Sequence, residues 1–252
     1  MSDSLVIIPT YNEKENIEKM IRKVFSISIP FHILIVDDGS PDGTADIVKN
    51  LQKEFPEKLF IEERKEKQGL GTAYIHGFNW ALKKNYEYIF EMDADFSHNP
   101  EDLIRLREAC MLTGQADVKG ADVAVGSRYV RDGKIKNWPM DRIMMSYFAS
   151  VYVRCILWIN IKDTTAGFKC YRRRALEAID FDKIKFMGYA FQIEMKYTAS
   201  QLGFKVVEVP ITFTDRTAGT SKMSMGIFKE AFWGVLQMKF KKISRSTFHV
   251  SI

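Results

Sequence analysis

The chain reads as an α/β protein built on a mostly parallel sheet flanked by helices. Three observations predict this. Short β-branched runs alternate with longer helical patterns, polar clusters stand directly after the apolar runs, and the composition is 46% hydrophobic with only 7 Pro and 15 Gly in 252 residues. The first strand is expected over residues 5–9, where Leu5-Val6-Ile7-Ile8 is continuous apolar chain, with a helix over 13–25. A second strand over 33–36 leads to a helix over 44–55, introduced by the turn chemistry of Asp42-Gly43-Thr44. Strand 59–62 pairs with helix 72–84. Strand 88–92 pairs with helix 100–112, for which Asn99 is the expected N-cap and Pro100 the first helical residue. A strand over 123–126 closes this rhythm. From residue 128 onward long amphipathic helical stretches (142–159, 190–202 and 226–242) surround a strand-like run over 206–213. No repeat or low-complexity linker interrupts the chain. One α/β domain over 1–222 is expected, with an amphipathic basic helix and tail over 223–252 packed on or attached to it.

Charge and cysteine content narrow the class. The formal charge is +5, from 37 Lys and Arg against 32 Asp and Glu, which is too diffuse for a dedicated nucleic-acid binder. From residue 222 onward there are six basic residues and one acid, so the whole excess lies in the tail. Such a cationic foot suits a peripheral seat on an anionic membrane, at about 1 kcal/mol per basic residue near the surface. Lys239, Lys241 and Lys242 are its core, and Met140, Met144, Met145, Met223 and Met225 cluster near the two amphipathic helices. On the last helix Ile227, Ala231, Val235 and Met238 share a face, either against the core or toward lipid. Cys110, Cys155 and Cys170 are odd in number and lack C-x-x-C spacing, pointing to a reduced, cytoplasmic compartment. Met1 leads through three polar residues into the first strand, so no secretory signal is expected. Residues 143–161 carry Arg154 mid-run and are not expected to span a bilayer.

In open parallel sheets ligands bind beyond the carboxyl ends of the strands. Four polar clusters fall there: residues 9–13, 37–43, 68–72 and 93–95. Turn and capping chemistry accounts for Asp42, Gly43 and Asn99. It does not account for Asp37, Asp38, Asp93 and Asp95, which would repel one another without a cation or a donor. Asp93 and Asp95, two apart in extended chain, can present oxygens to one site, and hard carboxylate oxygens suit Mg²⁺ or Mn²⁺ beside substrate phosphates. Gly69-Leu70-Gly71 does not complete a dinucleotide fingerprint, and no Walker A, H-E-x-x-H or G-x-S-x-G pattern occurs.

The motifs Pro9-Thr10-Tyr11-Asn12-Glu13, Val36-Asp37-Asp38-Gly39-Ser40, Gly69-Leu70-Gly71, Asp93-Ala94-Asp95, Gly126-Ser127-Arg128-Tyr129 and Phe213-Thr214-Asp215-Arg216, followed by Gly219-x-Ser221-Lys222, together resemble the dolichol-phosphate (polyprenol-phosphate) mannose synthases. These are inverting family 2 nucleotide-sugar glycosyltransferases of the GT-A (Rossmann-like) fold. The resemblance runs in order from about residue 5 to about residue 222. It implies that Pro9, Tyr11, Glu13, Val36 and Asp38 hold the nucleoside, and that Asp93, Ala94 and Asp95 form the metal and diphosphate segment. Arg128 would reach a phosphate, and Arg216 and Lys222 would sit on a loop over donor and acceptor. The acceptor phosphate falls to Arg128, Arg142 and Arg216. Arg142 follows Asn137-Trp138-Pro139 as in the family, and Asp163, before Thr164-Thr165-Ala166-Gly167-Phe168, supports the reacting groups or acts as a base. Where several relatives carry a metal-binding Gln, this chain has Ser97, a weaker ligand. Asp95, Arg128, Arg216 and Asp163 are thus the catalytic candidates, and Asp93, Asp95 and Ser97 the metal candidates, with His98 close by.

The implied reaction moves mannose from GDP-mannose to a polyprenyl phosphate with inversion, on the cytoplasmic face of the membrane. An acceptor that is already anionic requires cations rather than a general base. Another sugar nucleotide such as UDP-glucose, a saccharide acceptor, an aspartyl-phosphate phosphotransferase using D-x-D-x-[ST], and a non-catalytic nucleotide-binding module are the alternatives. The membrane reading leaves room for a separate membrane protein as partner.

Overall fold

The structure is a computed structural model and describes residues 2–111, 120–215, 225–241, 243, 245 and 246, without the side chains of residues 189 and 225–231. A central seven-stranded sheet has the order β3-β2-β1-β4-β7-β5-β8. Its first half is the predicted βα rhythm: β1 (Ser4–Thr10), α1 (Ile17–Phe25), β2 (His32–Asp37), α2 (Thr44–Gln52), β3 (Leu59–Glu63), α3 (Leu70–Leu82), β4 (Tyr88–Glu91), α4 (Asp102–Cys110) and β5 (Val123–Ser127). Strands β1 to β4 are mutually parallel where they pair, with Ile7 opposite Leu34 and Glu91. Leu5, Val6, Ile7 and Ile8 are fully buried because both faces of β1 are covered by helices, each side chain contributing about 1.5–3 kcal/mol. Helix α1 buries Ile17, Met20, Ile21 and Val24, the stripe of one helical face. Gly77 lets α3 lie directly on the sheet, since a Cβ there would stand 2.7 Å from Ile7.

Helix α1 starts four residues later than predicted. Residues 13–16 instead form a turn in which Glu13 N donates to Thr44 Oγ1 and Lys14 N to Asp42 Oδ2, tying the loops after β1 and β2 together. Helix α4 likewise begins at Asp102, preceded by a turn in which Asn99 Oδ1 accepts from Glu101 N.

The second half departs from simple alternation. After the short β6 (Lys134–Lys136) and the long α5 (Met140–Leu157), β7 (Lys169–Arg172) inserts antiparallel between β4 and β5, and leads into α6 (Arg173–Ala178). Neither β6, β7 nor α6 is evident from the pattern. Helix α7 (Tyr189–Gln201) is followed by the strand-like run, which is divided in two. β8 (Val206–Pro210) pairs with β5, and β9 (Thr212–Thr214) leaves the main sheet to pair with β6. The last helix, α8 (Met225–Lys239), packs on α5 and α7 through Val235 and Met238 against Val153, Leu157, Ile193 and Tyr197. Those two α8 side chains therefore belong to the core. Ile227, Phe228 and Ala231 fall outside the described side chains, as do residues 223 and 242. Among the described residues no helix is long and apolar enough to cross a membrane.

Candidate active site

The carboxyl ends of the parallel strands open into a cleft of about 390 Å³, lined by residues from every cluster singled out in the sequence. Three groups of residues line it.

In the first, Pro9, Tyr11, Glu13 and Asp38 line the wall together with Lys67, whose ammonium lies 4.6 Å from the Tyr11 ring centre. The two acids at the end of β2 find separate partners. Asp37 is a turn-former: it accepts from Ser40 N at 2.8 Å, Ser40 Oγ at 2.6 Å and Thr10 Oγ1 at 2.8 Å. Asp38 is held by Arg64, whose Nε donates to Oδ1 at 2.6 Å and whose other nitrogens reach Thr72 Oγ1 and Gly69 O. Gly39 makes this possible. Its φ of +70° suits glycine, and a Cβ would stand 3.2 Å from the carbonyl oxygens of Arg64 and Lys65. Arg64 directly follows β3, so the strand-end rule signals it, yet it does not stand in any of the four clusters. Val36, expected at the nucleoside, has its side chain fully buried in the core beneath α3 and off the cleft wall, because β2 is covered on both faces and Leu34 and Val36 share the α3 side.

The second group is Asp93-Ala94-Asp95 with Ser97 and His98. Asp95 is buried, and its Oδ1 accepts from Ser97 N at 3.0 Å, while Asp93 accepts from the Tyr74 hydroxyl at 3.4 Å. Burial, then the Asp93 charge, raises the Tyr74 phenol well above its ordinary value, so it stays a donor. His98 is buried and stacks on Phe168, with Nδ1 3.9 Å from Asp93. Burial pushes its imidazole down to about 4, although Asp95 opposes the shift. Among the described residues no third His, Cys, Asp or Glu completes a ligating group with the two acids. The donor set fits a hard divalent ion that takes two carboxylates from protein and the rest from water and phosphate oxygens.

The third group is cationic and aromatic: Arg128, Trp138, Arg142, Phe213 and Asp215. The Arg128 guanidinium grips Asp163 in a fork, Nε to Oδ2 at 2.7 Å and a terminal nitrogen to Oδ1 at 2.6 Å, and Arg128 N adds a third bond at 2.9 Å. Asp163 is fully buried. Burial alone would raise its carboxyl, but the Arg128 charge and hydrogen bonds outweigh this and hold it below the ordinary value. It does not line the cleft. Of its two expected roles, this geometry favours support of Arg128 over a base. Arg142 lies 4.0 Å from the Trp138 ring centre and 3.2 Å from Asp215, which also accepts from Trp138 Nε1. Asp215, quoted in the sequence only as part of a motif, is what orders this pair. Arg216 and Lys222 lie outside the described residues.

A sequence pattern for glycosyl transferase family 2 matches residues 5–180. The chain belongs to glycosyl transferase family 2. This glycosyltransferase is 47% identical over 237 residues to the polyprenol monophosphomannose synthase of Mycolicibacterium smegmatis, covering 92% of this chain and 87% of that one. It is 45% identical over 236 residues to the undecaprenyl-phosphate mannosyltransferase of Micrococcus luteus, covering 92% and 93%. Its fold is that of a mannosyltransferase from Pyrobaculum calidifontis solved with GDP-mannose and Mn²⁺, at a TM-score of 0.57 and 16% identity over 94% of this chain and 69% of that one. The family assignment sets aside both the aspartyl-phosphate reading of Asp93 and the non-catalytic reading.

Proposed function

We propose that this glycosyltransferase moves mannose from GDP-mannose to a polyprenyl phosphate with inversion. One observation carries the reading: Arg128 and Arg142 line the same cleft as Asp93 and Asp95, and the nearby carboxylates Asp163 and Asp215 are engaged with those arginines rather than poised as bases. A cleft of this kind suits an acceptor that is anionic on arrival and has no proton to give up. The names of the two relatives support the same choice of acceptor and sugar.

In this reading Tyr11, Glu13 and Asp38 hold the nucleoside, with Lys67 and Tyr11 closing over it. Asp93 and Asp95 hold Mg²⁺ or Mn²⁺, which when bound neutralises charge growing on the departing diphosphate. Ser97 contributes its backbone N–H to Asp95, and water replaces it as a metal ligand. Arg128 and Arg142 bind the lipid phosphate and aim one of its oxygens at the anomeric carbon opposite the leaving group, which gives inversion. Residues 1–222 make up the catalytic unit, and the helix that follows belongs to the acceptor side.

A lipid acceptor places the enzyme peripherally at the cytoplasmic face of a membrane, with or without a membrane protein as partner. The support for this comes more from α5 and α8 than from the tail lysines. Lys241 is drawn inward onto buried Glu194, and Lys239 lies 3.9 Å from the Trp158 ring centre. Met144, Phe148 (59% exposed), Trp158 (83%) and Trp233 (64%) offer instead an apolar, aromatic surface of the kind that seats at a lipid interface.

The deciding experiment incubates the enzyme with GDP-mannose or UDP-glucose, a polyprenyl phosphate, and Mg²⁺, Mn²⁺ or chelator, and identifies the lipid product by mass. A mannosyl lipid that disappears with chelator and with Asp95→Ala is expected. Glucosyl lipid alone, or undiminished transfer by Asp95→Ala, would overturn the donor or the metal assignment respectively.

A further inference from the structure

Gln192, in the first turn of α7, is 3% exposed and lines the cleft, yet none of the sequence motifs includes it. Its two ends are treated differently. Oε1 accepts from the ammonium of Lys169, a fully buried residue on β7 whose Nζ also lies 3.0 Å from Glu91 Oε1. The Glu91 and Lys169 positions are opposite one another in the β4–β7 ladder, so this ion pair is built into the sheet. An ammonium donates and never accepts, so Lys169 fixes which way the Gln192 amide points. The reversed amide would set N–H against N–H. Nε2 is therefore turned away from Lys169, and it is buried without a hydrogen-bond partner among the described residues.

A buried amide nitrogen with two unused N–H groups is costly, and native folds rarely keep one without a use. Here the use is adjacent. Gly167 and Gly188 line the cleft beside Gln192, and a Cβ on Gly167 would stand 3.5 Å from Nε2. With glycine at 167 no side chain fills that part of the wall, and a neutral donor lies directly behind it. Cations for phosphate oxygens are supplied elsewhere, by Arg128, Arg142 and Lys67. A neutral donor-only group matches a sugar hydroxyl.

We propose that the Gln192 amide recognises the sugar of the bound nucleotide sugar by donating to its hydroxyl oxygens, with Lys169 as the positioning residue that aims it. This rests on the nucleotide-sugar reading above. The test is calorimetric titration, with Mn²⁺ present, of GDP-mannose and of GDP into wild type, Gln192→Leu and Gln192→Glu. Glu keeps an acceptor for Lys169 but has no donor. The ratio of the two affinities isolates the sugar in Gln192→Leu, which adds no charge; Gln192→Glu is read against it, because a new carboxylate repels GDP, with its extra terminal-phosphate charge, more than GDP-mannose. Gln192→Leu should lower the GDP-mannose to GDP ratio about tenfold, the scale of one buried hydrogen bond, and Gln192→Glu by less. The paired variant Lys169→Met with Glu91→Gln, which leaves no unpaired buried charge, should lower it as well. An unchanged ratio, or a loss restored by Gln192→Glu, would make Gln192 a structural partner of Lys169 and overturn the inference. A wild type that binds GDP but no nucleotide sugar would overturn the functional reading and this one together, whereas wild-type transfer with unchanged variant ratios overturns this one alone.

Discussion

Strands β1 and β2 run apolar from Leu5 and Ile33 up to Tyr11 and Asp38 on the cleft, whereas β4, β7 and α7 bring Glu91, Lys169 and Lys196 into the interior beneath Ala166 and Gln192. Arg128 and Asp163 add a further buried pair beside Thr165. Each buried ion costs several kcal/mol unless it is paired and hydrogen-bonded. The two regions therefore hold their functional groups by different means. Around Tyr11 and Asp38 a stiff apolar sheet presents loop residues braced by short hydrogen bonds. Around Arg128 and Gln192 an electrostatic scaffold fixes the groups that line the cleft.

The largest break in that comparison should come from Asp163→Ala. Removing one partner of a buried pair leaves the other charge uncompensated, at a cost of about 3–5 kcal/mol in unfolding free energy at pH 7, with loss of turnover as Arg128 swings free. The pH dependence follows from the depressed Asp163 pKa. Below the unfolded-state value of 3.8 the unfolded carboxyl takes up a proton before the folded one does, so the stabilisation is complete above that value and is lost as pH falls through the folded one. Urea unfolding at pH 7 and in stronger acid should show the gap between wild type and variant closing as the pH drops. A gap independent of pH would place the cost in packing instead.

Val36→Ala tests the apolar side. Two buried methyls and the cavity they leave are worth about 2 kcal/mol of stability. Because the side chain is in the core, the KM for the nucleotide sugar should hold constant in the variant. A raised KM at unchanged stability would return Val36 to the binding surface.

Arg64→Ala is the complementary change at the same end. It frees Asp38 from its fork and from the Thr72 brace, and KM for the donor should rise about tenfold with kcat little altered, the signature of lost binding that is uniform along the reaction. An equal fall in kcat would put Arg64 in the transition state's surroundings.

How much of this was legible follows the same division. Residues 5–9, 33–36 and 88–92 read correctly as strands, because chain buried on both faces must be continuously apolar, and their polar ends fall on the cleft as the parallel topology requires. Lys169-Cys170-Tyr171-Arg172 does not read as a central strand because two of its four residues are cationic. Only the cross-strand Glu91, remote in sequence, makes Lys169 tolerable there. Gln192 is hidden for the same reason, since its orientation depends on Lys169. Arg64 and Asp215 are legible in place but not in role, as their partners come from other strand ends. The doubling of Asp37 and Asp38 misleads in the opposite direction, because one of the two acids is spent on its own turn.

The smallest effect, and the most direct measure of the charged scaffold, belongs to Lys196→Met. Lys196 is fully buried, and its ammonium donates to Ala166 O at 2.6 Å. Burial first, then the neighbouring Lys169 charge, drives its pKa well below the ordinary 10.5, although Asp163 and Glu91 pull the other way. Over the pH range between folded and unfolded values the unfolded state binds more protons, so stability rises with pH until about 10.5, and at pH 7 burying this amine is a net cost, paid as a buried charge or as a lost proton. Methionine fills the same space without that cost and gives up one hydrogen bond. The variant should therefore be more stable at pH 7 by about 1 kcal/mol, a Tm rise of roughly 2–4 °C, with the gain fading as pH approaches 10.5. A less stable variant at every pH would mean that Asp163 and Glu91 fully compensate the ammonium. In the expected outcome, a more stable enzyme that turns over more slowly would show that the buried cation is kept for the carboxylates it steadies, Asp163 behind Arg128 and Glu91 behind Lys169.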